Sequence, residues 1–283
     1  MTQQPTQPHL TIIGTPSNLQ EATTRANKYK RKTYVTQKIK ISLALTLALI
    51  LLTPGVASTQ IPAWASLMYA AAILLLEIYT NCARPTRNWV SARETVENIK
   101  RHTWLYAVRG VPYDQGDDVD NAFKYHTYLI VLSKQEGMRR YPAVSCEVTP
   151  SAAAIRDSSF SQRQSIYLEH RAYPMLNWYK ERATHHKRLG ALWKTLLTLA
   201  QLTAMTLLVG QLSGWWHIDL TAILGALIAA AASWSGAKQH PYLASIYKDT
   251  ATSLGDRVQG LKNTGEKEWG TLVKGYEDTL QEA

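Results

Sequence analysis

Lys194, Thr198 and Gln201 recur at i, i+4 and i+7 within an otherwise apolar run, which places them on one helix face. A polar face inside a bilayer must meet water, protein or a partner helix, because lipid satisfies no hydrogen bond. Such a stripe could line a path for ions or water. The alternative is interhelical hydrogen bonding, at ~0.6–2 kcal/mol per contact. Ser42, Thr46 and Thr53 form a similar stripe on an earlier apolar run. Glu77 and Lys194 each lie near the end of an apolar run, where they could pair with each other, guard a pore mouth or snorkel. Gly225, Ala229 and Ser233 repeat at four, as do Ala226 and Ala230; small residues at that spacing allow close helix contact, within the chain or between copies.

Other clusters offer less chemistry. His185 and His186 are adjacent, so they point to different helix faces and cannot chelate as an i, i+4 pair would; they read as interfacial polar residues. Asp114, Asp117, Asp118 and Asp120 could meet a cation, but their spacing does not match a calcium loop, and an N-cap cluster ahead of Val119 is the favoured reading. Cys82 and Cys146 are too far apart for a zinc site and read as free thiols. A phosphate-binding glycine loop, a nucleophile elbow and zinc-ligand spacing are all missing, so the sequence predicts no enzyme, no metal and no cofactor.

The elements that must position these residues are hydrophobic hairpins, and the pattern occurs twice. A basic helix leads into a hairpin over 41–80, and a second basic helix leads into one over 189–236. Ile41–Val56 carries no charge, Ile61–Thr80 only Glu77, Leu189–Leu212 only Lys194, and Trp215–Gly236 only Asp219. About 20 mostly apolar residues cross a bilayer, so four spans are expected. Four buried helices of a soluble protein are the alternative, disfavoured because soluble helices show polar faces. Within each pair the loop lacks Lys and Arg, whereas Lys28 to Lys40, Arg84 to Arg93, Lys180 to Arg188, Lys238 and Lys248 crowd the outer flanks. The positive-inside rule then places both termini and the central segment in the cytosol. The first apolar run starts at Ile41, so a signal peptide is not expected. Lys and Arg number 31 against 21 Asp and Glu, a formal net charge of +10. Much of that excess flanks the hairpins and suits anionic headgroups rather than nucleic acid.

Along the chain, residues 1–18 are rich in Gln, Pro and Thr and are expected to be disordered. Ser17 or Asn18 could cap a helix running through Lys40 into the first hairpin. Pro85 marks a break. Trp89, Ala92, Val96, Ile99, Thr103 and Tyr106 then alternate at three and four, the seam of a packed helix. A turn over Gly110–Gly116 and a helix over about 119–135 follow. A first unit spans 19–140, a linker 141–154, and a second unit 155–283. The second unit opens with a helix over about 155–188 that Pro174 should kink or break near Tyr173. A long helix from about Pro241 shows the same seam at Tyr247, Ala251, Leu254, Val258, Leu261, Gly265, Trp269, Leu272, Tyr276 and Leu280, with a break expected near Asn263–Gly265. Trp89, Trp104, Trp178 and Tyr179 are predicted core or interface residues. The expected fold is an all-α membrane protein with two transmembrane hairpins and long cytosolic helices forming a bundle or coiled coil.

Two stretches resemble a known family. One carries Trp89, Arg93, Glu94, Lys100, Trp104 and Tyr106; the other carries Tyr167-Leu168, Arg171, Trp178 and Tyr179. Both resemble the SLATT family, two-transmembrane effector domains associated with SMODS nucleotidyltransferases and SLOG sensors in bacteria. The first unit is similar to the third type and the second to the first type, a tandem arrangement, with Pro174 a departure from the pattern. The resemblance implies a multi-pass effector of the bacterial inner membrane that forms homo-oligomers and permeabilises the bilayer in nucleotide-signalled or stress-triggered defence. It also implies a nucleotidyltransferase or SLOG-type sensor, encoded by a neighbouring gene, as partner. A membrane-anchored scaffold recruiting a cytosolic partner, and a constitutive channel or transporter, are the rival readings.

Overall fold

The computed structural model describes residues 10–14, 17–52, 63–116, 118–133, 147–215 and 220–282. Thr53, Asp117, Cys146, Asp219, residues 141–146 of the expected linker and most of residues 1–18 lie outside the described residues, as does the side chain of Thr46. Among the described residues all regular structure is helical. The helices are α1 (Leu10–Ile13), α2 (Ser17–Leu52), α3 (Ala63–Ala83), α4 (Pro85–Ala107), α5 (Val119–Ser133), α6 (Pro150–Asp157), α7 (Phe160–Tyr167), a π-turn (Leu168–Ala172), α8 (Tyr173–Leu212), α9 (Leu220–Lys238), α10 (His240–Asn263) and α11 (Glu266–Glu282). Contacts divide the chain into a unit holding residues 7–163 and one holding 164–283.

In the first of these, α2 packs along α4. The buried faces are Leu19, Ala22, Thr33 and Thr36 on α2, and Ala92, Thr95, Val96, Ile99 and Thr103 on α4. Thr36, Thr95 and Thr103 satisfy their hydroxyls within their own helices, donating to the Lys32, Ser91 and Ile99 carbonyls, whereas the buried Thr33 hydroxyl has no hydrogen-bond partner among the described residues. The expected seam of α4 is thus the buried face, with Trp104, Leu105 and Tyr106 extending it. Trp89 is only half-buried, under the Arg93 guanidinium at 6.0 Å.

Within the stretch expected to be disordered, α1 is an ordered turn that buries Ile13. The Ile13 carbonyl accepts from the Thr149 hydroxyl, whose oxygen in turn accepts from Ala152 N–H at 3.2 Å and caps α6. Gly14 makes this approach possible: its φ is +72°, and a Cβ there would lie 2.9 Å from the Thr149 Cβ. The helix α6 covers α4 with Ala152 and Ile155.

In the unit over 164–283, α8 packs along α10, and α10 along α11. The helix α7, the π-turn and α8 form one continuous rod, so of the kink or break expected near Tyr173 there is no break, and the π-turn is where the helix is disturbed. Pro174 has no N–H for the His170 carbonyl, and its ring would occupy that space. The chain widens into the π-turn immediately before it, with Tyr173 N–H donating to the Leu168 carbonyl five residues back. The rod begins at Phe160 rather than near 155, because α6 ends at Asp157 and Ser158 is extended. Thr264 is extended between α10 and α11, the expected break, and Gln164 donates to the Leu261 carbonyl at 2.8 Å, satisfying an orphan group of the helix end. The break resets the helical phase: Leu254, Val258 and Leu261 are buried on α10, then Trp269, Val273, Tyr276 and Glu277 on α11, leaving Leu272 only half-buried.

The rod Phe160–Leu212 is long and apolar enough to cross a membrane, and only 6% of its most apolar 18-residue window is buried. The return of the chain is built alike in both units. Arg84, after α3, and Gln239, after α9, take left-handed conformations at φ 39° and 48°, and Pro85 and Pro241 open the next helix. In the first hairpin Lys40 on α2 pairs with Glu77 on α3 at 2.6 Å. Glu77 therefore has a partner in its own hairpin.

Candidate functional site

Packing fixes which way the hairpin residues face. Along α8 the half-buried positions are Trp193, Leu197, Ala200, Ala204, Leu207 and Gln211, spaced at three and four, and these meet α9. Lys194, Thr198 and Gln201 lie beside that stripe and are exposed. Thr198 donates to the Lys194 carbonyl at 2.9 Å, so its proton is used within the helix. Lys194 and Gln201 make no side-chain hydrogen bond or ion pair among the described residues. On α9 the inward positions are Leu224, Ile228, Ala231 and Ser235, whereas Gly225, Ala229 and Ser233 are exposed, and a Cβ on Gly225 would meet nothing within 4 Å. The polar stripe and the small-residue stripe thus both face away from the partner helix. Ser42 is exposed at the first hairpin.

The helical bases hold the motif residues. In residues 7–163 the turn after α4 drops Tyr113 into the core, its N–H donating to the Gly110 carbonyl at 2.7 Å. The Tyr113 hydroxyl lies 2.7 Å from Nδ1 of His102 and 3.0 Å from Nδ1 of His126. A hydroxyl has one proton, so it donates to one ring and accepts from the other, which fixes opposite tautomers. Burial, then Arg101 and His126, lower His102 to about 4. Tyr106 donates to Asp120 at 2.6 Å, and burial together with that bond raises it to about 12. Asp120 therefore serves this bond from the first turn of α5. Arg156 stacks over the Tyr106 ring at 5.0 Å and donates to the Tyr106 carbonyl at 2.9 Å. Trp104 is buried; Lys100 is buried and pairs with Glu97 at 3.2 Å; Glu94 is exposed.

In residues 164–283 the π-turn sets Tyr167 and Arg171 against α11. Arg171 grips Glu277 with two bonds, Nε to Oε1 at 2.9 Å and Nη2 to Oε2 at 2.8 Å, both side chains nearly sealed at 5% and 1% exposure. Tyr167 donates to the same Oε1 at 2.9 Å, and burial, then the Glu277 charge, hold its hydroxyl well above the usual range. Tyr276 donates to the Ala172 carbonyl at 2.9 Å. Higher on α8, Trp178 and Tyr179 stack edge-on at 4.9 Å, and Tyr247 of α10 meets both. His186 follows, buried against His240 of α10. His186 is thus buried between α8 and α10, whereas its neighbour His185 is exposed.

The sequence reading missed Glu277 and His240. Glu277 falls in the stripe Trp269–Val273–Tyr276, an acid where an apolar residue is expected, and that mismatch was its signal. His240 closes the second hairpin where His186 opens it, but they lie 54 residues apart. Among the described residues no group of three metal-ligating side chains converges. Cys82 is a free thiol.

Comparison with known proteins places both units. Residues 167–283 match the family model described as SMODS and SLOG-associating 2TM effector domain 1. Residues 17–121 match a family described as a protein of unknown function, DUF4231, and the pair is consistent with a SLATT arrangement. No curated protein and no solved structure matches the chain.

Proposed function

We propose that this chain is a non-enzymatic membrane effector whose second hairpin assembles with copies of itself and permeabilises the bacterial inner membrane on a cytosolic signal. The observation that carries this reading is the outward placement of Lys194 and Gln201 beside an apolar, almost unburied span. The hydrocarbon offers no partner to Gln201, and neither does the partner helix of the hairpin, so water or another copy must. Gly225, Ala229 and Ser233 supply an outward face on which a second copy could pack closely. The description of the matched family, a two-transmembrane effector domain, points the same way. In this reading both termini are cytosolic, the helical bases receive the signal, and a nucleotidyltransferase or SLOG-type sensor delivers it.

Reconstitution in dye-loaded liposomes tests the proposal. The protein should release dye, Lys194→Glu should shift ion preference from anions toward cations, and Gln201→Leu should slow release. Intact liposomes over a protein that still binds a cytosolic partner would replace the pore with the scaffold. For orientation, Ser213→Cys should react with an impermeant thiol reagent in intact cells while Cys82 does not; the opposite pattern reverses the topology.

A further inference from the structure

We propose that His186 and His240 form a proton-operated latch that closes the neck of the second hairpin. The two rings meet where α8 enters the hairpin and α10 leaves it. Their Nδ1 atoms lie 2.9 Å apart and their centroids 5.0 Å apart. Both residues are sheltered, at 4% and 8% exposure. One turn on, the helices stay close: a Cβ built on Gly190 would be in ordinary van der Waals contact with the His240 Cβ at 3.7 Å and the Pro241 ring at 3.6 Å. The pair also sits on a hinge, since Gln239, in its left-handed conformation, joins α9 to α10 directly before His240.

The tautomers follow from satisfaction of the ring atoms. His186 Nε2 is buried and has no hydrogen-bond partner. A bare buried N–H costs more than a bare lone pair, so that atom is unprotonated and His186 carries its proton on Nδ1. His186 then donates to Nδ1 of His240, which holds its own proton on Nε2. A first added proton goes to His186 Nε2, and the bond between the rings survives. A second proton can only go to His240 Nδ1, the lone pair that accepts the bond. Two N–H groups then oppose each other between two cations, and the rings must part.

The surroundings discourage relief of that charge. Arg182 and His185 face the site from α8, Lys238 from α9, and the Tyr247 ring from α10 at 5.5 Å. Burial lowers both histidines, followed by His240 and His185 for His186, and by Lys238 and His185 for His240. Among the described residues no carboxylate contributes to either shift. The sign follows from linkage. A histidine lowered in the closed state stabilises that state fully above the ordinary value of 6.5, and the stabilisation is lost as pH falls below it.

Hydrogen exchange of the full chain in nanodiscs, corrected for intrinsic rates, tests the latch whether or not the hairpin conducts. Between about pH 7.5 and about pH 4.5, residues 239–246 should lose protection by at least about tenfold while α11 stays protected. The double variant His186→Gln, His240→Gln should show no such pH dependence. Unchanged protection in the wild type, or an equal acid loss in the double variant, overturns the latch. Should the variant not fold, ring-labelled histidine NMR on the wild type decides: the pair should titrate in two separate steps, and a single step at the ordinary histidine value overturns the proposal.

Discussion

The two helical bases secure their helices with different chemistry. Over residues 7–163 the Tyr113 phenol is shared between two imidazoles, with burial, then Arg101 and His126, holding His102 below the ordinary histidine range. Over residues 164–283 a full ion pair, Arg171–Glu277, is sealed between the π-turn and α11. Neutral hydrogen bonds tolerate replacement by apolar groups of similar shape, whereas a buried charge penalises loss of its partner. A single deletion should thus cost the first base less than the second.

Glu277→Ala should produce the largest effect. It leaves the Arg171 charge buried without its carboxylate, a loss of about 3–5 kcal/mol confined to residues 164–283 and readable as local hydrogen exchange in α10 and α11. Replacing both partners, Arg171→Met with Glu277→Leu, should recover most of it. A double variant as unstable as the single one would mean that Tyr167 and the ion pair act as one inseparable unit.

Tyr113→Phe comes next, at about 1–3 kcal/mol for the orphaned imidazole nitrogens, measured by denaturant unfolding followed through α4 and α5. A cost matching that of Glu277→Ala would erase the contrast between the bases.

The third test is acid. His102 is lowered to about 4, so its contribution is full above 6.5 and is lost as pH falls from 6.5 toward about 4. The midpoint of thermal unfolding of residues 7–163 should fall across that window, and His102→Gln should flatten the decline. Lys40→Gln should do least, under about 1 kcal/mol, because its bond to Glu77 is exposed at 37% and 55% and screened by salt.

What the sequence disclosed was periodicity. The α4 seam, the α10 stripe, the Pro85 break and the extended Thr264 follow from apolar spacing and from Pro and Gly chemistry, all local. What stayed hidden depends on distance along the chain. Arg171 and Glu277 are 106 residues apart, and an acid in an amphipathic helix looks like solvent face until its partner is seen. The π-turn was hidden differently: Pro174 announced a disturbance, but whether a helix breaks or widens depends on packing around Tyr167 and Arg171. For the hairpins, the 3.6-residue period told that Lys194, Thr198 and Gln201 share a face, but not that this face points away from α9.

The unbroken run of α8 has a mechanical consequence. Forty residues from Tyr173 to Leu212 make a rod ~60 Å long at 1.5 Å per residue. The rod is anchored at one end by the widened turn that precedes Pro174. Tilting it there by ~10° would carry the opposite tip ~10 Å sideways, about the width of a helix. A contact that merely leans on the Arg171–Glu277 clamp would thus work through a long lever arm, turning a displacement smaller than a side chain into one large enough to exchange one helix neighbour for another.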